Sequence, residues 1–275
     1  MNKISWRHHY LPRFYLQTFS KENGLIKIYD VKSNLFIKSG KKFSTESYFF
    51  EKNGYNIFYN QEIDDFLETN YYKLIDDKIS KIYDVISDDL LKITNNDLII
   101  IEHFINIIFW RHPSRKSELL NLINNPNELE NIGLIIKKCN KINLDLNDLK
   151  LVQSYIPLKL VSTKSNIDFF PKFYKTDNIL PYLTCDNPVI FEKDINSTFK
   201  SRYIFPLKGN LYLIKTLKNE IEFQNLKFMI DMLLIKQSFK YVTTTDEYYL
   251  QSLIEDFENN FKTIDNLKEE LWNII

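Results

Sequence analysis

Alanine is missing from this chain, and glycine, cysteine and arginine are scarce: five, two and five in 275 residues. Five glycines are too few for a typical phosphate-cradling loop. No GxGxxG, Walker A, GxSxG or HExxH pattern occurs. ATP, dinucleotide and serine-hydrolase readings are therefore poor. The two cysteines, Cys139 and Cys185, form no close pair. That argues against a disulfide scaffold or a cysteine-rich zinc site and reads as two reduced thiols. No apolar run reaches the ~18–20 residues of a membrane span. The longest, Leu98 to Trp110, is broken by Glu102, His103 and Asn106. No basic region leads into an apolar stretch at the N-terminus, so no signal peptide is expected. The chain is expected to be soluble and cytoplasmic, with no membrane partner. The formal net charge of +0 excludes the basic excess of a generic nucleic-acid binder but leaves room for a local basic groove.

What is present supports a real core: 44% of residues are hydrophobic and 15% aromatic. The organisation reads as one α+β domain over 1–275. It has an N-terminal hairpin, a helical middle and a C-terminal antiparallel sheet. Residues 1–60 are mainly β with a short helix near Pro12. LIKIYD (25–30) and NLFIKSG (34–40) alternate as a hairpin after the turn signal at 21–24. Residues 60–165 are helical. Ile63, Phe66, Leu67, Tyr71, Leu74, Ile75, Ile79, Ile82 and Ile86 follow 3–4 spacing. A second helix starts at the cap Thr94 and ends before Pro113. Shorter helices are expected over 114–124, 128–139 and 147–163. Residues 166–275 are β-sheet plus closing helices. YLTCDNPVIFE (182–192) reads strand, polar turn, strand, and 202–207 and 210–216 flank a Lys-Gly turn. A helix over 224–239, a strand over 241–245 and a terminal helix from Asp246 close the chain.

The scarcity of arginine makes its placement informative. Four of five arginines and all four histidines lie in two windows. One holds Arg7, His8, His9 and Arg13. The other holds His103, Arg111, His112 and Arg115. Guanidinium groups fit carboxylate or phosphate, and imidazole exchanges protons near neutral pH. Together they suit binding an anion and moving a proton at it. The helix over 96–112 is apolar almost all round, yet Glu102, His103 and Asn106 fall within about 100° of one another. This stripe is either an internal hydrogen-bond network or the wall of a polar pocket. Arg111 lies about 80° from His103, two turns along. The turn Thr184 to Pro188 contributes Asp186 and Asn187. It is a tight turn at strand ends, and also a place for a base or metal ligand.

The stretches HHYLPRFYLQTF, FWRHPSR (109–115) and LTCDNPV (183–189) resemble an uncharacterised, mostly bacterial family, domain of unknown function four-two-three-eight. Its pattern is a His-His/Gln-Tyr-x-Pro-x-x-Tyr/Phe-Leu start, a central Arg-x-Pro and a late Ser-Asp-x-Pro-Val. The resemblance runs to about Thr244 and marks His8, His9, Pro12, Arg111, Pro113, Asp186 and Pro188. Cys185 stands where the family usually has serine, so a hydroxyl role does not carry over. The resemblance implies no reaction.

The leading expectation is a phosphoanion-handling hydrolase, in its specific form a nuclease serving as a toxin or phage-defence effector. In this reading His8 or His9 is acid or base. Arg111, with Arg7 or Arg13, binds phosphate, and Asp186 orients a histidine or holds a divalent metal. His103, Asn106, His112 and Asn187 complete the ligand contacts. The alternative is a non-catalytic module that binds a ligand or partner protein through the same groups, or uses them as a buried structural network. The enzymatic reading requires His8, His9, Arg111 and Asp186 to meet at one accessible cleft.

Overall fold

The computed structural model of the chain describes residues 6–21, 23–59, 62–124, 145–162, 171–192, 201–218, 221 and 223–275. The fold is mixed α+β. Its described residues fall into two compact units. The first lies within Met1–Pro12 and Phe50–Asn166. The second lies within Arg13–Phe49, Ile167–Ile195 and Ser201–Ile275.

In the first unit, strand β1 (Arg7–His9) pairs antiparallel with a later strand, Phe50–Lys52, setting His8 opposite Glu51. A hairpin of Ile57–Tyr59 and Glu62–Asp64 follows. Ile63 therefore lies in a strand; the expected helix begins later. It opens as a π-helix over Leu67–Tyr72 and continues as an α-helix over Lys73–Asp88. The α part buries Ile79, Ile82, Tyr83 and Ile86, the 3–4 stripe read from the sequence. The helix Asn95–Arg111 opens on a capping box: the Thr94 hydroxyl accepts from the Asp97 N–H, and the Asp97 carboxylate accepts from the Thr94 N–H at 2.9 Å. Its apolar circumference makes it the core helix of the unit, with nearly every residue from Ile101 to Arg111 buried. Helices Arg115–Asn124 and Leu146–Ser162 complete the unit. The expected helix over 128–139 and Cys139 lie outside the described residues.

The second unit begins with a short helix, α1 (Arg13–Gln17), just after Pro12. It continues through the sharp turn at Asn23-Gly24, both with positive φ, into β2 (Leu25–Asp30). β3 (Leu35–Phe36) and β4 (Lys42–Ser44) pair with β2, as the hairpin pattern implied. β2 also pairs with the late strand Tyr241–Thr244, which pairs in turn with Leu183–Cys185. A second antiparallel sheet joins Ile190–Phe191, Tyr203–Lys208, Leu211–Lys215 and Lys172–Lys175. The two strands around the Asp186 turn thus belong to different sheets and do not pair with each other. The helix Phe223–Gln237 supplies Leu226, Ile230, Leu233 and Leu234 to the core. The closing segment is two helices, Glu247–Asn260 and Ile264–Ile274. Thr263 accepts from the Asn266 N–H at 3.2 Å and so starts a new helix where one was expected to run on.

Candidate functional site

Arg111, the last residue of its helix, has its guanidinium buried inside the first unit, with 1% of the side chain exposed. Nε donates to the Tyr10 carbonyl at 2.7 Å, and Nη1 faces Asp76 Oδ1 at 3.5 Å. The Tyr72 ring lies 5.3 Å from the guanidinium carbon. Nη2 is buried and has no hydrogen-bond partner among the described residues, and the same holds for the Tyr71 hydroxyl. Tyr71 and Glu68 both lie within electrostatic reach of Arg111. Burial works against the charge of Arg111, but the acids around it, Asp76 first, hold its pKa up. Burial also raises Asp76, an effect partly offset by Arg111. Glu68 is half-buried. Burial pushes its pKa up to about 7, against the opposing pull of Arg111.

The first two sequence windows meet here through an aromatic stack. His8 is fully buried, and its Nδ1 accepts from the Tyr55 N–H at 2.8 Å. An accepting Nδ1 fixes the ring as the neutral tautomer with its proton on Nε2. The His8 and Tyr55 rings stack at 5.3 Å, and Tyr55 contacts Tyr72 at 4.5 Å. The Tyr55 hydroxyl donates to the Arg111 carbonyl at 3.3 Å. Gln153 donates to the carbonyls of Trp110 and His112. Side chains thus satisfy carbonyls that the end of a helix leaves open. His112 is buried, with Nδ1 2.7 Å from Ser114 Oγ and its ring edge-on to Tyr10. Burial, then the charge of Arg115, lowers its pKa to about 3. His103 is lowered to about 4 by burial, against an opposing hydrogen bond to the Pro157 carbonyl. Both rings are therefore neutral at neutral pH. Glu102 and Asn106 are buried with them. The stripe on the core helix thus lies largely within the interior.

The remaining residues are placed differently. His9 is half-buried beside Phe50, 5.7 Å between ring centres. Arg7 lies over the Trp6 and Phe50 rings. Arg115 lies over Phe109 at 3.8 Å and pairs with Glu118. Arg13 belongs to the second unit, where it pairs with Glu46 near the surface.

Asp186 also belongs to the second unit. Oδ1 accepts from Ser238 Oγ at 2.9 Å and the Phe239 N–H at 2.8 Å. Oδ2 accepts from the N–H groups of Lys240 and Tyr241 at 2.7 and 2.9 Å. Burial raises its pKa and these four donors pull it back. Four donors fill the lone pairs of a carboxylate, so Asp186 is spent on the 238–241 turn. Asn187 Nδ2 donates to the Gln237 carbonyl at 3.3 Å, and Gln237 Nε2 donates back to the Asn187 carbonyl. The Asp-Asn-Pro motif is a clasp on the C-terminal end of the helix Phe223–Gln237 and on the turn that follows it. Cys185 is buried, and burial raises its thiol pKa well above the ordinary value.

Among the described residues no group of three or more His, Cys, Asp or Glu side chains is placed to hold a metal ion. No helix of the described residues is long and apolar enough to cross a membrane. Sequence reading missed Glu68, Asp76, Tyr55, Tyr71 and Tyr72. Tyrosine and acids are common in this chain, so their count carried no signal. No curated protein and no solved structure matches the chain. A family model described as Protein of unknown function (DUF4238) matches residues 7–246, and the chain belongs to that family.

Proposed function

We propose that the first unit handles an anionic substrate at Arg111, as a phosphoanion hydrolase whose proton-transfer group is Glu68 and not a histidine. The observation that carries this reading is the pair of buried donors, Arg111 Nη2 and the Tyr71 hydroxyl, without an acceptor among the described residues. A buried donor left unpaired costs about 1–3 kcal/mol. An oxygen acceptor docking there offsets that cost. A carboxylic acid that titrates near 7 beside it is matched to general acid catalysis at neutral pH. Water forms the new P–O bond as the bond to the departing oxygen breaks: protonated Glu68 donates to that oxygen, Arg111 holds an anionic one, and the proton released by the water returns through solvent to the Glu68 carboxylate.

The second reading is a binding module without turnover. It is favoured by the use of Nε and Nη1 inside the protein, which leaves no two-point fork for a phosphate or carboxylate. The test compares wild type with Arg111→Lys, Glu68→Gln and Tyr71→Phe. Hydrolysis of a nitrophenyl phosphodiester and integrity of RNA and DNA are followed between pH 5 and 9. The hydrolase reading expects Glu68→Gln to lose about 10²–10⁴-fold in rate, with wild-type activity falling above pH 7 as the acid form is lost. Wild type no more active than Arg111→Lys, with binding of the diester retained, leaves the module. Growth arrest and nucleic-acid loss on expressing wild type but not Glu68→Gln would support the toxin or defence setting.

A further inference from the structure

The surroundings of Arg111 are defined by charge as well as by unpaired donors. Its Nε is spent on the Tyr10 carbonyl and its Nη1 faces Asp76, while the Tyr72 ring packs against the guanidinium. That leaves Nη2, the Tyr71 hydroxyl and, in its acid form, Glu68 as donors for a ligand. The formal charge is already balanced before a ligand arrives. Asp76 offsets Arg111, and Glu68 adds nothing as an acid and one negative charge as a carboxylate. The further charges that bear on these two carboxyl groups are acids, Asp65 on Glu68 and Asp77 on Asp76. The sequence builds this bias: residues 64–77 carry Asp64, Asp65, Glu68, Asp76 and Asp77 against one lysine, Lys73, which is exposed. A ligand with one negative charge therefore leaves the site with a surplus of one. A ligand with two leaves a surplus of two beside a guanidinium that is 1% exposed, where like charges repel more strongly than in water. A phosphodiester carries a single charge on two oxygens and has ester oxygens that can accept from Glu68. A phosphate monoester approaches two charges above its second pKa near 6. A free carboxylate carries one charge but has no third oxygen for the acid.

We propose that this site selects a singly charged phosphodiester over a doubly charged oxyanion, and that Asp76 sets the selection. The proposal rests on the reading of Arg111 as an anion site and not on turnover. Binding to the full chain is measured at pH 6 by calorimetry and by the amide resonances of Glu68, Tyr71 and Asp76. The probes are dimethyl phosphate, methyl sulfate, sulfate and acetate at equal ionic strength. Methyl sulfate and sulfate share a tetrahedral centre and differ by one charge. Dimethyl phosphate and methyl sulfate should bind and move these resonances, with sulfate and acetate each about tenfold weaker. Asp76→Asn removes the opposing charge and should bring sulfate close to methyl sulfate. Asp77→Asn, an exposed acid one residue on, should change that ratio less. Sulfate binding as tightly as methyl sulfate in wild type, which needs no variant to fold, overturns the proposal. Acetate equal to dimethyl phosphate overturns the diester assignment, and an equal effect of Asp77→Asn overturns the role of Asp76. Selective binding without turnover of the nitrophenyl phosphodiester upholds the selection and removes the hydrolase reading. Turnover inhibited as well by sulfate as by methyl sulfate keeps the hydrolase and overturns the selection.

Discussion

At the scale of single residues, rarity and chemistry point to different groups. Arginine and histidine stood out because they are few, and Arg111 does lie at the centre of the polar interior of the first unit. His8, His103 and His112, however, are placed as neutral rings with burial or an acceptor role deciding their state. Glu68 and Tyr71 could not be picked from 36 acids and 17 tyrosines, since what distinguishes them is a tertiary neighbour. Glu68 makes a sharp expectation for stability. Its folded pKa of about 7 lies above the ordinary 4.5. Between those values the folded chain binds the extra proton, so this contribution is full below about 4.5 and is lost as pH rises through 7. With a discount for partial exposure, the loss is on the order of 2 kcal/mol. Denaturant unfolding from pH 4.5 to 8.5 should show it, and Glu68→Gln should flatten that slope and exceed wild type at pH 8. A slope unchanged by the substitution would remove Glu68 from the site.

At the scale of elements, caps and periodicity were legible and long-range pairing was not. Thr94, Pro113 and the 3–4 stripe from Ile79 to Ile86 gave helices where helices stand. The π-helix did not show, because its apolar residues mimic α spacing. Its wider turn puts Glu68, Tyr71 and Tyr72 within reach of one guanidinium, a common use of such turns at functional positions. The Asp186 turn was read correctly as a turn between strands, but its partners lie more than fifty residues on, beyond any local pattern. Asp186→Ala would leave the backbone N–H groups of Phe239, Lys240 and Tyr241 without their acceptor in a buried turn, while Ser238 Oγ keeps the Tyr241 carbonyl at 3.0 Å. The expected cost is about 3–5 kcal/mol. Asp186→Asn should recover little of it, since one amide end would face donors. A denaturation midpoint unchanged in Asp186→Ala would free the carboxylate for chemistry and return it to the list of candidate bases.

At the scale of the whole molecule, the two units interleave along the chain, and no linker composition marks their limits. The strand at 25–30 finds its partner at 241–244, and the strand at 7–9 finds its own at 50–52. A linear reading into N-terminal, helical and C-terminal thirds captures the element types but not this exchange. Each unit also holds a buried ion pair, and the two are built for different ends. Arg111 has an unpaired donor. In the second unit Lys227 and Asp231 pair with both side chains fully buried. Asp231 also accepts from the Tyr249 hydroxyl at 2.6 Å and the Tyr212 hydroxyl at 3.2 Å. Such a network holds structure and offers no opening for a ligand. Breaking one partner of a buried pair leaves an uncompensated charge, so Lys227→Met should cost about 3–5 kcal/mol. Replacing both charges, Lys227→Met with Asp231→Leu, should recover part of this. The remainder reflects the two hydroxyls that lose their acceptor, and adding Tyr212→Phe and Tyr249→Phe should recover more. Urea denaturation of the series decides the matter. A stability order in which the single substitution is the least stable identifies a closed structural pair, whereas a neutral Lys227→Met would mean that Asp231 is held protonated without it.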